Sequence, residues 1–231
     1  MTEAEVLQEQ YRRRFHEAQA YRDGVWRAIL DGFLQAQIGD NQSVLDLGCG
    51  WGEFSRNVRA GKKFAMDLNP DARSYLGDDV SFLQQDCSQP WQMPDGSALP
   101  DASLDVVFSS NFIEHLPDKS AIEATFAEVH RSLKPGGKFI LMGPNIRYVG
   151  GAYWDYWDHH VAISDNSLVE VLQLKGFEPQ KVVPRFLPYT MSGGRQAPLA
   201  FVRLYLALPV FWPLLGKQFF VVANAVSEGG A

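Results

Sequence analysis

Ser43-Val44-Leu45-Asp46-Leu47-Gly48-Cys49-Gly50-Trp51-Gly52-Glu53-Phe54 is the stretch whose reading decides the fold. Val44, Leu45 and Leu47 predict a short buried parallel strand. Gly48, Gly50 and Gly52 predict a turn in which no Cβ blocks the backbone. Glu53 to Val58 then predicts the start of a helix, with an acid in its first turn. Strand, glycine turn and helix form the nucleotide-binding unit of a doubly wound sheet, whose ligands sit at the carboxyl ends of the strands.

The charges narrow the nucleotide. A dinucleotide fingerprint, G-x-G-x-x-G, brings a pyrophosphate to the helix mouth. Here the sixth position is Glu53, and Asp46 adds a second negative charge. Both repel a pyrophosphate, so an NAD-type oxidoreductase is disfavoured. A nucleoside ligand with positive charge and no phosphate suits the loop, and S-adenosylmethionine (SAM) has that character. The segment V-L-D-L-G-C-G-W-G resembles motif I of the class I SAM-dependent methyltransferases. Asp67, Asp86, Asn111 to Leu116 and Leu133-Lys134-Pro135-Gly136-Gly137 stand where that family places its later motifs. The resemblance covers about residues 40–180.

The resemblance implies a Rossmann-like three-layer α/β sandwich with a seven-stranded, mostly parallel sheet and an antiparallel last strand. It also implies SAM as cofactor and S-adenosylhomocysteine as product. The cofactor site it implies comprises Tyr11, Arg22, Asp46, Gly48, Cys49, Gly50, Asp67, Leu68, Asp86, Cys87, Asn111 and Phe112. Asp67, 19 residues after Gly48, is expected to accept hydrogen bonds from the ribose hydroxyls, or else to cap a helix. Asp86 is expected on the adenine amino group with Cys87 supplying a backbone N–H, or else as a turn acid. Tyr11 and Arg22 are expected to reach the methionine carboxylate, or else to lie on a solvated helix face.

The rest of the chain agrees with one domain. Its 231 residues, 46% hydrophobic, suffice for one well-buried core with an insertion. A net charge of -6 argues against a nucleic-acid partner. Two cysteines, Cys49 and Cys87, argue for a reducing cytoplasm and no structural disulfide. The N-terminus is polar and charged, unlike a signal peptide. Two helices are expected before the first strand, over 2–20 and 21–37, the second with apolar residues from Val25 to Leu34 at a 3.6-residue period, and the resemblance implies that residues 1–40 form a lid over the SAM pocket. Strands are expected at 63–67, 80–85, 103–110, 138–142, 178–186 and 217–226, and helices over 119–133 and from 164 to 176.

Two stretches fall outside this pattern. Tyr148 to His160 is dense in aromatics, with two Asp and two His, and has no helical or strand period. It reads as an acceptor pocket, or as a loop packing its rings under a cap. His160 is the favoured base, ahead of His159, with His115 of Glu114-His115-Leu116 as the third candidate and Asp155 or Asp158 to orient the ring. Residues 187–216 open the hairpin between strands six and seven. This apolar, basic insertion reads as a cap on its own domain, a homodimer contact, or a peripheral membrane contact for a lipid-linked glycan acceptor. The functional expectation is methyl transfer from SAM to an oxygen of a small-molecule or glycan-like acceptor, with no metal. The alternative is a non-catalytic SAM- or nucleoside-binding module acting through the cap.

Overall fold

The computed structural model describes residues 19–189 and 196–226. Seven strands form one sheet: β1 (Ser43–Leu47), β2 (Lys62–Asp67), β3 (Val80–Gln84), β4 (Leu104–Ser110), β5 (Leu133–Pro144), β6 (Phe177–Val183) and β7 (Gln218–Ala225). Their order is β3-β2-β1-β4-β5-β7-β6. β7 runs antiparallel to both β5 and β6, and the other pairings are parallel. The antiparallel last strand expected from the sequence is therefore present, paired with the sixth across an opened hairpin.

Consecutive residues of the central strands point to opposite faces, and the core divides accordingly. Leu45, Val107, Phe139 and Val221 pack under helices α3 (Lys119–Ser132) and α5 (Asp165–Leu174). Val44, Val106, Ile140 and Val222 pack under α1 (Gln19–Ile29) and the insertion. The short helices α2 (Glu53–Asn57) and α4 (Ile146–Val149) follow β1 and β5. Asp118 and Ser164 cap α3 and α5 through side-chain oxygens.

Several boundaries differ from the sequence reading. The helix expected through Gln37 is regular only to Ile29, then widens into a π turn over Leu30–Leu34 and a 3-10 turn over Gln35–Gln37. Leu30 and Leu34 are both buried in that form. Lys134 to Gly137, expected as a helix stop, lies within β5; Leu133 already pairs with Leu104, and a register shift absorbs the turn. β6 ends at Val183 rather than at 186, because Pro184 has no N–H to donate. Gly150–Asp155 of the aromatic stretch winds into a 3-10 helix.

The insertion forms α6 (Leu199–Ala207), a 3-10 turn and α7 (Trp212–Leu215). It packs on its own domain. A Cβ on Gly24 of α1 would lie 2.8 Å from Leu199 Cδ1, so the glycine permits the close approach of α6. Tyr205 Oη donates to Phe186 O at 2.6 Å, and Trp212 Nε1 donates to Tyr205 O at 3.0 Å. Val202, Leu206 and Trp212 are buried, while Phe201, Leu204, Val210 and Leu214 stay exposed. No helix among the described residues is long and apolar enough to cross a membrane.

Candidate active site

The carboxyl ends of β1, β4 and β5 open into a cavity of about 260 Å³. The glycine loop forms one wall. Gly48, Gly50 and Gly52 have φ of 72°, 52° and 67°, the left-handed region that favours glycine. The N–H groups of Gly48 and Cys49 both donate to Met66 O, which ties the loop to β2. Asp67, at the end of β2, accepts from Gly50 N–H at 2.8 Å and from Asn69 N–H at 2.9 Å. Each carboxylate oxygen keeps acceptor capacity beyond those bonds.

Asp46, Gly48, Cys49, Gly50 and Asn111 line the cavity as expected, and Arg22 joins them from α1. Asp46 is buried, and Ser55 Oγ donates to its Oδ2 at 2.6 Å. Burial, reinforced by the charges of Asp67 and Glu53, lifts its carboxyl to about 7 against the pull of Ser55. Burial likewise raises the Asp67 carboxyl and, strongly, the Cys49 thiol. Asn111 is held at a φ of 49°, with its N–H donating to Met142 O at 2.8 Å. Such a non-glycine conformation is maintained where surrounding structure over-determines it.

Other expected residues have different partners or places. Arg22 pairs with Glu53 Oε1 at 2.9 Å, so its guanidinium already has a carboxylate. Phe112 does not line the main cavity; it packs on Gly48, where an added Cβ would lie 2.1 Å from Phe112 Cγ. Asp86 is exposed and spends Oδ1 on the N–H and hydroxyl of Ser88, the turn-acid alternative. Cys87 is buried with Sγ 3.4 Å from Thr125 Oγ1, and burial pushes its thiol up to about 12. None of Asp67, Leu68, Asp86 and Cys87 lines the main cavity. Tyr11 lies outside the described residues.

The opposite wall carries the polar groups. Glu114, His115, Asp158 and His159 all line it, with Tyr156 and Tyr189. His160, the favoured base, is exposed and absent from the lining. Its backbone N–H donates to Glu114 O at 2.9 Å, which turns His159 rather than His160 inward. His159 stacks on Tyr156 with centroids 5.2 Å apart and meets His115 edge-on at 4.9 Å. His115 Nδ1 lies 2.9 Å from Asp158 O and 3.4 Å from Asp158 Oδ2. Asp158 therefore faces His115, and Asp155 is exposed. Glu114 is 1% exposed, and burial raises its carboxyl. The sequence reading missed Glu114 and Tyr189 as site residues. An acid between Ile113 and Leu116 was the available signal for Glu114, but its burial is set by the fold.

The cavity fits SAM. Asp46 and Glu53 line the cavity beside the glycine loop, Glu53 in the first turn of α2, and Asp67 holds the loop through Gly50 N–H. Fold and site resemble those of the Rossmann-like, class I SAM-dependent methyltransferases. Residues 45–141 match the family described as "Methyltransferase domain". The chain is 32% identical over 127 residues to malonyl-[acyl-carrier protein] O-methyltransferase of Serratia marcescens, covering 48% of this chain and 43% of that protein. It is 34% identical over 107 residues to phosphoethanolamine N-methyltransferase 1 of Arabidopsis thaliana, covering 43% and 20%. The matches thus span less than half the length of these curated relatives. A SAM-dependent methyltransferase structure from Archaeoglobus fulgidus superposes with a TM-score of 0.62 at 18% identity, covering 90% of this chain and 97% of that one.

Proposed function

We propose that this protein transfers the methyl group of SAM to an oxygen atom of a small-molecule or glycan-like acceptor. The observation that carries this reading is one cavity with two chemically different walls. The glycine loop with its acids faces Glu114, His115 and His159 across it. Bound at the loop, SAM supplies a methyl group activated by the adjacent sulfonium. The chain's own contribution is orientation and exclusion of water, since methyl transfer is an in-line displacement. Tyr156, Tyr189 and Leu187 line the cavity, and Tyr153 is buried behind it with Oη on Val161 O. In this reading the acceptor's reacting atom lies against Glu114, His115 and His159.

Residues 1–40 act as a lid and residues 187–216 as a cap over a single domain. Ser110-Asn111-Phe112-Ile113 follows β4 in place of an N-P-P-Y-type motif, which disfavours an amide or exocyclic-amine acceptor such as a nucleobase. The relatives' names, with malonyl-[acyl-carrier protein] and phosphoethanolamine among them, support a small or carrier-linked acceptor. A lipid-linked acceptor would meet the exposed Phe201, Leu204, Val210 and Leu214 of the cap.

Calorimetric titration with SAM, S-adenosylhomocysteine and NAD tests the cofactor. SAM and S-adenosylhomocysteine are expected to bind. Asp67→Ala is expected to weaken SAM by about 1–3 kcal/mol through loss of ribose hydrogen bonds. Binding of NAD alone overturns the reading. Release of S-adenosylhomocysteine across a panel of sugars, phenols and lipid-linked glycans then identifies the acceptor.

A further inference from the structure

The acceptor wall contains three side chains of metal-binding type. Glu114, His115 and His159 each present one donor atom, and the three atoms lie within 4.8 Å of one another. Donors bound to one ion at about 2.0–2.2 Å are separated by at most roughly 4.2 Å. Side-chain rotation of about half an ångström therefore closes the set.

Two further observations point to a ligand there. Glu114 is 1% exposed, lines the cavity, and its Oε2 receives no hydrogen bond from any described residue. A buried carboxylate oxygen without a partner costs about 1–3 kcal/mol, or more when charged, and a bound cation removes that cost. His115 is arranged as a metal ligand is. Its Nδ1 meets Asp158 O at 2.9 Å, while its Nε2 lies 4.0 Å from Glu114 Oε1. A metal-ligating His commonly donates its other ring N–H to a carbonyl or carboxylate, which fixes the tautomer. The segment that carries His159 is tied to Glu114: His160 N–H and Val161 N–H both donate to Glu114 O, at 2.9 and 3.4 Å.

We propose that Glu114, His115 and His159 bind a divalent first-row transition cation that holds the acceptor's oxygen opposite the methyl group of SAM. Two imidazoles and one carboxylate leave open positions on such an ion. Zn²⁺ and Fe²⁺ suit that donor set, whereas Mg²⁺ prefers oxygen ligands. The cation lowers the cost of removing the acceptor's hydroxyl proton. In the transfer the oxygen forms the new C–O bond as the C–S bond breaks. The electron pair of that bond stays on sulfur, the sulfonium becomes neutral S-adenosylhomocysteine, and the hydroxyl proton leaves to water. The acceptor role rests on the methyl-transfer reading, but the ion site does not need it.

The test uses the full chain freed of metal by a chelator and titrated with Zn²⁺, Co²⁺ and Mg²⁺. Calorimetry and the visible absorption of Co²⁺ are the readouts. One Zn²⁺ or Co²⁺ per chain is expected, with Mg²⁺ failing to compete. Glu114→Gln and His159→Asn should each weaken ion affinity by about tenfold or more while SAM affinity is retained. In the unaltered chain, Zn²⁺ should also protect His115 and His159 from diethyl pyrocarbonate, read on peptides by mass spectrometry. Absence of saturable binding, or unprotected histidines, overturns the site. Failure of SAM to bind the unaltered chain sinks the methyl-transfer reading instead, so the two failures are distinct.

Discussion

Lowering the pH from 7 to 6 is expected to weaken SAM binding about fivefold through Asp46. This carboxyl lies in the strand under the glycine loop, and burial is the main cause that lifts it from 3.8 to about 7. The groups that face it are Ser55 and Glu53 on α2, Asp67 at the end of β2, and the Cys49 thiol of the loop. About half of the chains carry ionised Asp46 at pH 7 and about a tenth at pH 6. If the sulfonium and ammonium of SAM select the ionised form, apparent affinity follows that fraction. The ratio is about 5, or about 1 kcal/mol. The window stays below the titration of an α-amino group, at about 7.7–8.0. Proton release on binding is the second signature, measured by calorimetry in two buffers of different ionisation heat. The linkage to stability has the opposite sign. A raised folded value favours the protonated fold, so this contribution is present below 3.8 and is lost as pH rises through about 7. The SAM-free chain should therefore lose stability over the range in which it gains SAM affinity. Asp46→Asn should flatten the binding profile. An equally steep profile in that variant, or a flat one in the unaltered chain, refutes the assignment.

Gly48→Ala places a Cβ 2.1 Å from Phe112 Cγ at a φ of 72°, and should cost about 1–3 kcal/mol in denaturant unfolding; Phe112→Ala should recover the steric part, and a loss under about 0.5 kcal/mol would refute the close-approach role. Phe186 is fully buried against Phe33, Trp212 and Phe220 with ring centroids at 4.6, 4.9 and 5.2 Å. Phe186→Ala should destabilise by about 3–5 kcal/mol in urea unfolding, and a loss below about 1 kcal/mol would mean that the cap contributes little to the core.

Much of the architecture was legible in local patterns. The Val44-to-Phe54 stretch sets strand, left-handed glycine turn and helix start by backbone sterics alone, and the structure shows all three. Buried strands and the amphipathic α3 follow from periodicities of two and 3.6 residues, which need no partner to be read. The acidic loop, and hence a cationic nucleoside rather than a pyrophosphate, followed from Asp46 and Glu53 as residue types. Tertiary structure decided how each polar side chain is used. Arg22 meets Glu53 because α1 packs on α2, and Asp86 folds back on Ser88 at the exposed end of β3. Sequence does not fix the rotation of the segment that carries His159 and His160; in the fold His160 N–H bonds Glu114 O and His159 lines the cavity. Glu114 shows the limit most clearly: its neighbours in sequence mark a turn, but the 158–161 segment, bonded to its backbone oxygen, and Gly143 of β5 come from elsewhere in the chain to enclose a carboxylate that lies beside two imidazoles. Hydrogen-bond partners and burial are set by segments distant in sequence, and no local pattern encodes them.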